Sequence, residues 1–124
     1  MNAVTHFEIL GPDGPGLVDF YSRLFEWNLT THQLPGWPCY AQLEAGEGGG
    51  IGGAIGTADA APTPTVVVYV EVDDPATSLA RAQELGASVV IPVTELAETG
   101  GVVVAWFRDP QGNTVGLVNR QTSG

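Results

Sequence analysis

One arrangement of elements is written twice along this chain, and that repeat limits its fold more than any other feature. Residues 5–10 read as a short strand, followed by the turn 11–16. Leu17, Phe20, Tyr21, Leu24 and Phe25 then recur at helical spacing, with Asp19, Arg23 and Glu26 on the other side. Residues 27–32, 39–45 and 51–56 read as three further strands, the last two joined by a glycine turn at 47–50. Residues 57–64, rich in Ala, Pro and Thr, read as a linker. The order then repeats. Residues 65–72 are a β-branched run, and Asp73-Asp74-Pro75 opens a helix whose apolar stripe is Leu79, Ala82 and Leu85, ended by Gly86. Residues 89–92, 102–107 and 114–118 are the remaining strands, the last two joined by Asp109-Pro110-Gln111-Gly112. Two βαβββ units of about 60 residues are each too small to bury a core alone. The expected architecture is α+β, with both modules packed as one domain over residues 1–124: module one 1–57, linker 58–64, module two 65–124.

Charge then excludes several partners. Fourteen acidic residues face four basic ones, for a net charge of −10. All four are arginines (Arg23, Arg81, Arg108 and Arg120), and there is no lysine. Four scattered arginines make no basic face for a nucleic acid, and an anionic membrane repels such a chain. No apolar run approaches the roughly 20 residues of a bilayer span. The first residues lack the basic and apolar regions of a signal peptide, and Cys39 is the single cysteine, so a cytoplasmic protein without disulfides is expected. Schiff-base chemistry on a lysine is excluded. The glycines at 48–56 do not form a phosphate loop, since no Lys-Ser/Thr and no helix follow.

Three stretches carry a resemblance. The first is Val4-Thr5-His6-Phe7-Glu8-Ile9, with Phe20-Tyr21 fourteen residues after the histidine. The second is Val70-Glu71-Val72-Asp73-Asp74, and the third is Phe107-Arg108-Asp109-Pro110-Gln111-Gly112-Asn113. With the doubled βαβββ order, the chain resembles the vicinal oxygen chelate superfamily of glyoxalase I, bleomycin-resistance proteins and extradiol dioxygenases. In metal-dependent members, four ligands point into a half-open barrel. By that resemblance the four positions fall on His6, Gly52, Val67 and Gly116, of which only His6 can bind a metal. The resemblance therefore implies the metal-less branch, with no cofactor. The glycines at 52 and 116 are expected to enlarge the cavity where a metal would sit.

Strand alternation fills in that cavity. If His6 faces it, so do Glu8 and Leu10; if Val67 does, so do Tyr69 and Glu71. A register shift of one residue would instead turn Glu8 and Glu71 to solvent. His6, Glu8 and Glu71 are the candidate catalytic groups, suited to acid/base work or to anchoring a ligand. Trp37, Tyr40, Tyr69 and Trp106 are the candidate ligand-binding aromatics, with packing as the competing role for Tyr40, Tyr69 and Trp106 and the sealing of a module or dimer contact for Trp37. His6 has a competing role as a hydrogen-bonded core residue. Trp27 is expected in the core, and Cys39 as a small strand residue. The function expected first is binding of a small apolar or aromatic molecule, neutral or cationic, in a metal-free cavity. A metal-independent lyase or isomerase is the alternative, and a metal-dependent glyoxalase or dioxygenase a third. Open strand edges make a homodimer the expected assembly.

Overall fold

Capping residues set where both helices begin. The computed structural model describes residues 2–46, 50–96 and 99–120. In it the chain divides into two compact units: His6–Val67, and the residues from Val68 onward together with those up to Thr5. The first unit carries β1 (Val4–Leu10, from His6), α1 (Gly14–Phe25), β2 (Thr30–Thr31), β3 (Cys39–Leu43) and β4 (Gly52–Thr57). Its strands lie in the order β2-β3-β4-β1, with β1 parallel to β4 and the other pairs antiparallel. Asp13 caps α1 by accepting the Gly16 N–H at 3.0 Å, and Pro15 occupies its first turn. The expected turn at 47–50 falls largely on residues 47–49, which lie outside the described residues.

The second unit holds most of β5 (Thr65–Val72), then α2 (Pro75–Glu84), β6 (Ser88–Glu95), β7 (Val103–Arg108) and β8 (Thr114–Asn119). Its order is β5-β8-β7-β6, with β5 parallel to β8. Asp74 caps α2 through Ala76 N–H and the Thr77 hydroxyl. Gly86, at φ +109°, ends that region in a conformation L-residues rarely adopt. α2 packs its Leu79 on Val72, Ala105 and Leu117. The Asp109 carboxylate accepts from the Gln111 and Asn113 N–H groups and from the Asn113 side chain, closing the β7–β8 turn.

Two strands differ from the sequence reading. β2 shrinks to Thr30 and Thr31, set against Gln42 and Ala41 of β3, with one further bond from His32 N–H to the Tyr40 carbonyl. β6 runs through Pro92 to Glu95, and its register on β7 shifts twice, which lets a proline sit in an edge strand. Of residues 58–64, Ala58 and Ala61 are buried and Asp59 N–H donates to the Gly36 carbonyl at 2.9 Å, whereas residues 62–64 are exposed. The apolar side of α1 is also only partly covered. Leu17, Val18 and Tyr21 are half-buried, whereas Phe20, Leu24 and Phe25 are each more than half exposed.

Glycine positions on the sheets bear tight contacts. A Cβ on Gly116 would lie 2.5 Å from the Tyr69 ring, and one on Gly56 would lie 1.9 Å from the Cys39 carbonyl oxygen. We expect Gly116→Ala to cost about 1–3 kcal/mol, because a ring must shift in a packed layer. Gly56→Ala forces backbone apart and should cost about 3 kcal/mol or more. Gly46→Ala meets nothing within 4 Å and should stay within about 0.5 kcal/mol. Urea unfolding of the three variants against the parent measures this ranking.

Candidate functional site

Register brings three polar side chains of the first unit together. His6, Glu8 and Leu10 share one face of β1, and they pair with Gly52, Ala54 and Gly56 of β4. On the far side of β4, Tyr40 is level with Gly56 and Gln42 with Ala54. The intervening strand therefore presents only Gly, Ala and Gly on this face. That low floor lets the long Tyr40 side chain lie across β4 and reach β1. Its hydroxyl oxygen sits 3.3 Å from His6 Nε2.

Glu8 is the buried member, with 2% of its surface exposed. A carboxylate in such a place needs partners. One is the Tyr40 hydroxyl, which is hydrogen-bonded to it; the other is His6 Nε2, 3.6 Å from Glu8 Oε2. Burial, then the negative charge of Glu8 and the hydrogen bond to it, push the Tyr40 phenol well above the usual tyrosine range. Tyr40 thus stays protonated and donates to Glu8, leaving its oxygen lone pairs for His6 Nε2–H. The hydrogen-bond chain runs from imidazole to phenol to carboxylate. His6, with 26% of its side chain exposed, is the end that a molecule in solution reaches first.

Trp37 lies beside this chain. Its ring meets Tyr40 edge-on, with centroids 5.3 Å apart, and it is nearly buried at 9% exposure. Its N–H donates to the Leu34 carbonyl, which fixes the loop before β3. Gln42 shares the face of Tyr40 and was absent from the sequence candidates, although the alternation that selected Glu8 also selects Gln42. Trp27 lies elsewhere, half-buried against Phe7, Tyr21 and Phe25. Cys39 is a partly buried strand residue whose thiol is raised by burial and by Asp13.

The remaining candidates belong to the second unit. Tyr69, Gly116 and Trp106 form one row across β5, β8 and β7. The Tyr69 ring lies over Gly116, and its hydroxyl accepts the Trp106 indole N–H at 2.6 Å. Trp106 is 0% exposed, so it offers no surface on which a ligand can stack as the side chains stand. Glu71 shares the face of Tyr69, but its carboxylate is held by Arg120, whose Nη1 is 3.6 Å away. Arg120 also pairs with Asp73. Nothing in the sequence pattern marks Arg120, because the parallel β5–β8 register alone sets it beside Asp73.

The side chains at the four positions implied by the resemblance do not fit a divalent ion. His6 supplies one nitrogen, Val67 is buried and carries no donor, and the two glycines carry none. Among the described residues no three His, Cys, Asp or Glu side chains come together. The glycines also do not enlarge a cavity as expected. The Tyr69 ring fills the space over Gly116, and a Cβ on Gly52 would lie 2.9 Å from the Leu43 carbonyl oxygen.

The Tyr40 environment gives a pH signature. Its folded-state pKa is raised, so the native chain keeps a proton that the unfolded chain releases above about pH 10. The stabilisation is fully present below that pH and is lost as pH rises further, with a slope of up to about 1.4 kcal/mol per unit. In an ultraviolet titration set against that of Tyr40→Phe, the Tyr40 step should lie above the ordinary tyrosine range, and Glu8→Gln should bring it down towards the ordinary value. A Tyr40 step at the ordinary value would contradict the hydrogen-bond chain.

Comparison with known proteins bears on the family and the fold. A family model described as a glyoxalase-like domain matches residues 9–118. A Streptomyces coelicolor methylmalonyl-CoA epimerase variant, solved with 2-nitronate-propionyl-CoA, superimposes with a TM-score of 0.70 at 17% identity, covering 98% of this chain and 96% of that one. A hypothetical protein from Bacillus halodurans C-125 gives 0.68 at 17% identity over 99% and 97%. The Mycobacterium tuberculosis methylmalonyl-CoA epimerase gives 0.64 at 14% identity over 96% and 88%. No curated protein matches. At these identities the solved structures establish the α+β fold, and the family match covers most of the sequence. The chain belongs to the glyoxalase-like domain family of the vicinal oxygen chelate superfamily.

Proposed function

We propose that this protein binds a small neutral or cationic molecule with apolar or aromatic surface, at the His6–Tyr40–Glu8 chain and without a metal. The observation that carries the reading is Glu8: a buried carboxyl group wired through Tyr40 to a reachable imidazole. Natural ligand sites combine an apolar lining with a few placed polar groups. Here His6 and Tyr40 are the anchors, and Trp37 braces Tyr40 from the side. Tyr69 and Trp106 support the second unit as a packed pair, and Glu71 is occupied with Arg120. Two of the epimerase structures are complexes with 2-nitronate-propionyl-CoA and methylmalonyl-CoA. A chain of net charge −10 with four arginines disfavours such anionic ligands. In this reading the protein acts in the cytoplasm as a homodimer, with no nucleic-acid or membrane partner.

A thermal-shift screen tests it. Planar neutral and cationic compounds should raise the melting temperature, and CoA esters should not; ligand at 100 times its Kd adds about 2.7 kcal/mol. Tyr40→Phe should weaken a hit about tenfold, because it removes the hydroxyl that holds His6 and Glu8 in line. A stoichiometric, chelator-sensitive transition metal in purified protein would sink the metal-free reading.

A second reading is favoured by the same chain of bonds. An imidazole backed by a phenol and a carboxylate can take up a proton from a bound substrate and return it, as a lyase or isomerase requires. Substitutions separate the two. A binder keeps its affinity within a few-fold for at least two of His6→Ala, Glu8→Gln and Glu71→Gln. An acid/base catalyst loses about 100-fold or more in rate with His6→Ala or Glu8→Gln.

A further inference from the structure

The outer side of α1 carries a patch that the ligand site does not use. Phe20 and Leu24 are each 56% exposed and Phe25 is 52% exposed. Phe20 and Leu24 are four residues apart and form one ridge of the helix. Beside them runs a second ridge of the same spacing, Asp19 and Arg23, exposed and 3.5 Å apart. These are the only charged residues between the caps Asp13 and Glu26, so the middle of the helix is neutral on a chain of net charge −10.

We infer that this face of α1 docks against the same face of a second copy of the chain. The inference rests on the homodimer of the preceding section and names its surface. Two bodies of net charge −10 repel, and they approach at least cost where their local charge is balanced. A two-fold axis crossing α1 near residues 21 and 22 sets the two helices antiparallel. Phe20 of one copy then lies against Leu24 of the other, and Asp19 lies against Arg23, twice over by symmetry. Ridges four residues apart pack into one another at a crossing angle of about 50°. Asp19 and Arg23 thus meet their complements on an identical surface.

Charge exchange tests the docking by sedimentation equilibrium of the full chain. The parent should dimerise. Asp19→Arg opposes two arginines at each contact, and Arg23→Asp opposes two acids; each should raise the dimer Kd tenfold or more. An equimolar mixture of the two variants should regain association within about threefold of the parent, as a heterodimer in which every pair is again opposite in sign. Asp19→Arg also makes the chain less negative, so general repulsion predicts tighter association for it and the docked face predicts weaker. Phe20→Ser with Leu24→Ser should abolish the dimer. Both side chains are exposed, and an unchanged melting temperature at a concentration where the parent is monomeric shows that the fold is intact. A parent dimer indifferent to all these changes overturns the docking face and leaves the homodimer standing. A parent that is monomeric at high concentration overturns both, as does a monomer that instead binds phosphatidylcholine vesicles through Phe20 and Leu24.

Discussion

Both units depend on the same close contact, an aromatic ring laid flat over a glycine of the neighbouring parallel strand. In the first unit Phe7 of β1 pairs with Gly53 of β4, and a Cβ there would lie 2.4 Å from the ring. In the second, Tyr69 of β5 pairs with Gly116 of β8. Parallel strands space their hydrogen bonds evenly, and a ring that leans along the pleat covers the residue directly opposite. Only a missing side chain lets the ring settle at that depth. The two contacts face different sides: Phe7 reaches towards the aromatic residues around α1, and Tyr69 lies on the side away from α2.

The polar chain at His6 follows from the same economy of volume. Gly52, Ala54 and Gly56 keep β4 low, so β1 and β3 can exchange hydrogen bonds above it. Glu8 would be costly as an isolated buried charge. The Tyr40 hydroxyl and the nearby imidazole lower that cost, and in turn they are held in place by it. Among the described residues, every buried side-chain nitrogen and oxygen has a hydrogen-bond partner. The site is therefore ordered before any ligand arrives, which limits the entropy lost on binding.

How much of this was legible in the sequence varies with the physics involved. The element order was, because caps and turns are local: Asp13, Asp74 and Asp109 act within four residues of themselves. The face of Glu8 was legible too, since alternation along a strand is enforced by backbone geometry. The glycines were read in the wrong sense. Absence of a side chain suggests an opening, yet a neighbour on another strand fills it, and neither strand shows this alone. The link from Glu71 to Arg120 and the covering of Trp106 by Tyr69 were hidden for the same reason. Helical spacing found the apolar side of α1 but could not say how much of it the sheet would cover. Phe20 and Leu24 remain in solvent because Leu17, Val18 and Tyr21 take the inward positions.

The ring of Tyr69 over Gly116 also sets the order in which changes to this chain can accumulate. A carboxylate at position 116 has no room while Tyr69 stands there. Shrinking Tyr69 first would remove the hydroxyl that accepts the Trp106 N–H, in a part of the molecule no water reaches. Three residues on three strands are therefore coupled, and a change at any one of them is felt by the other two.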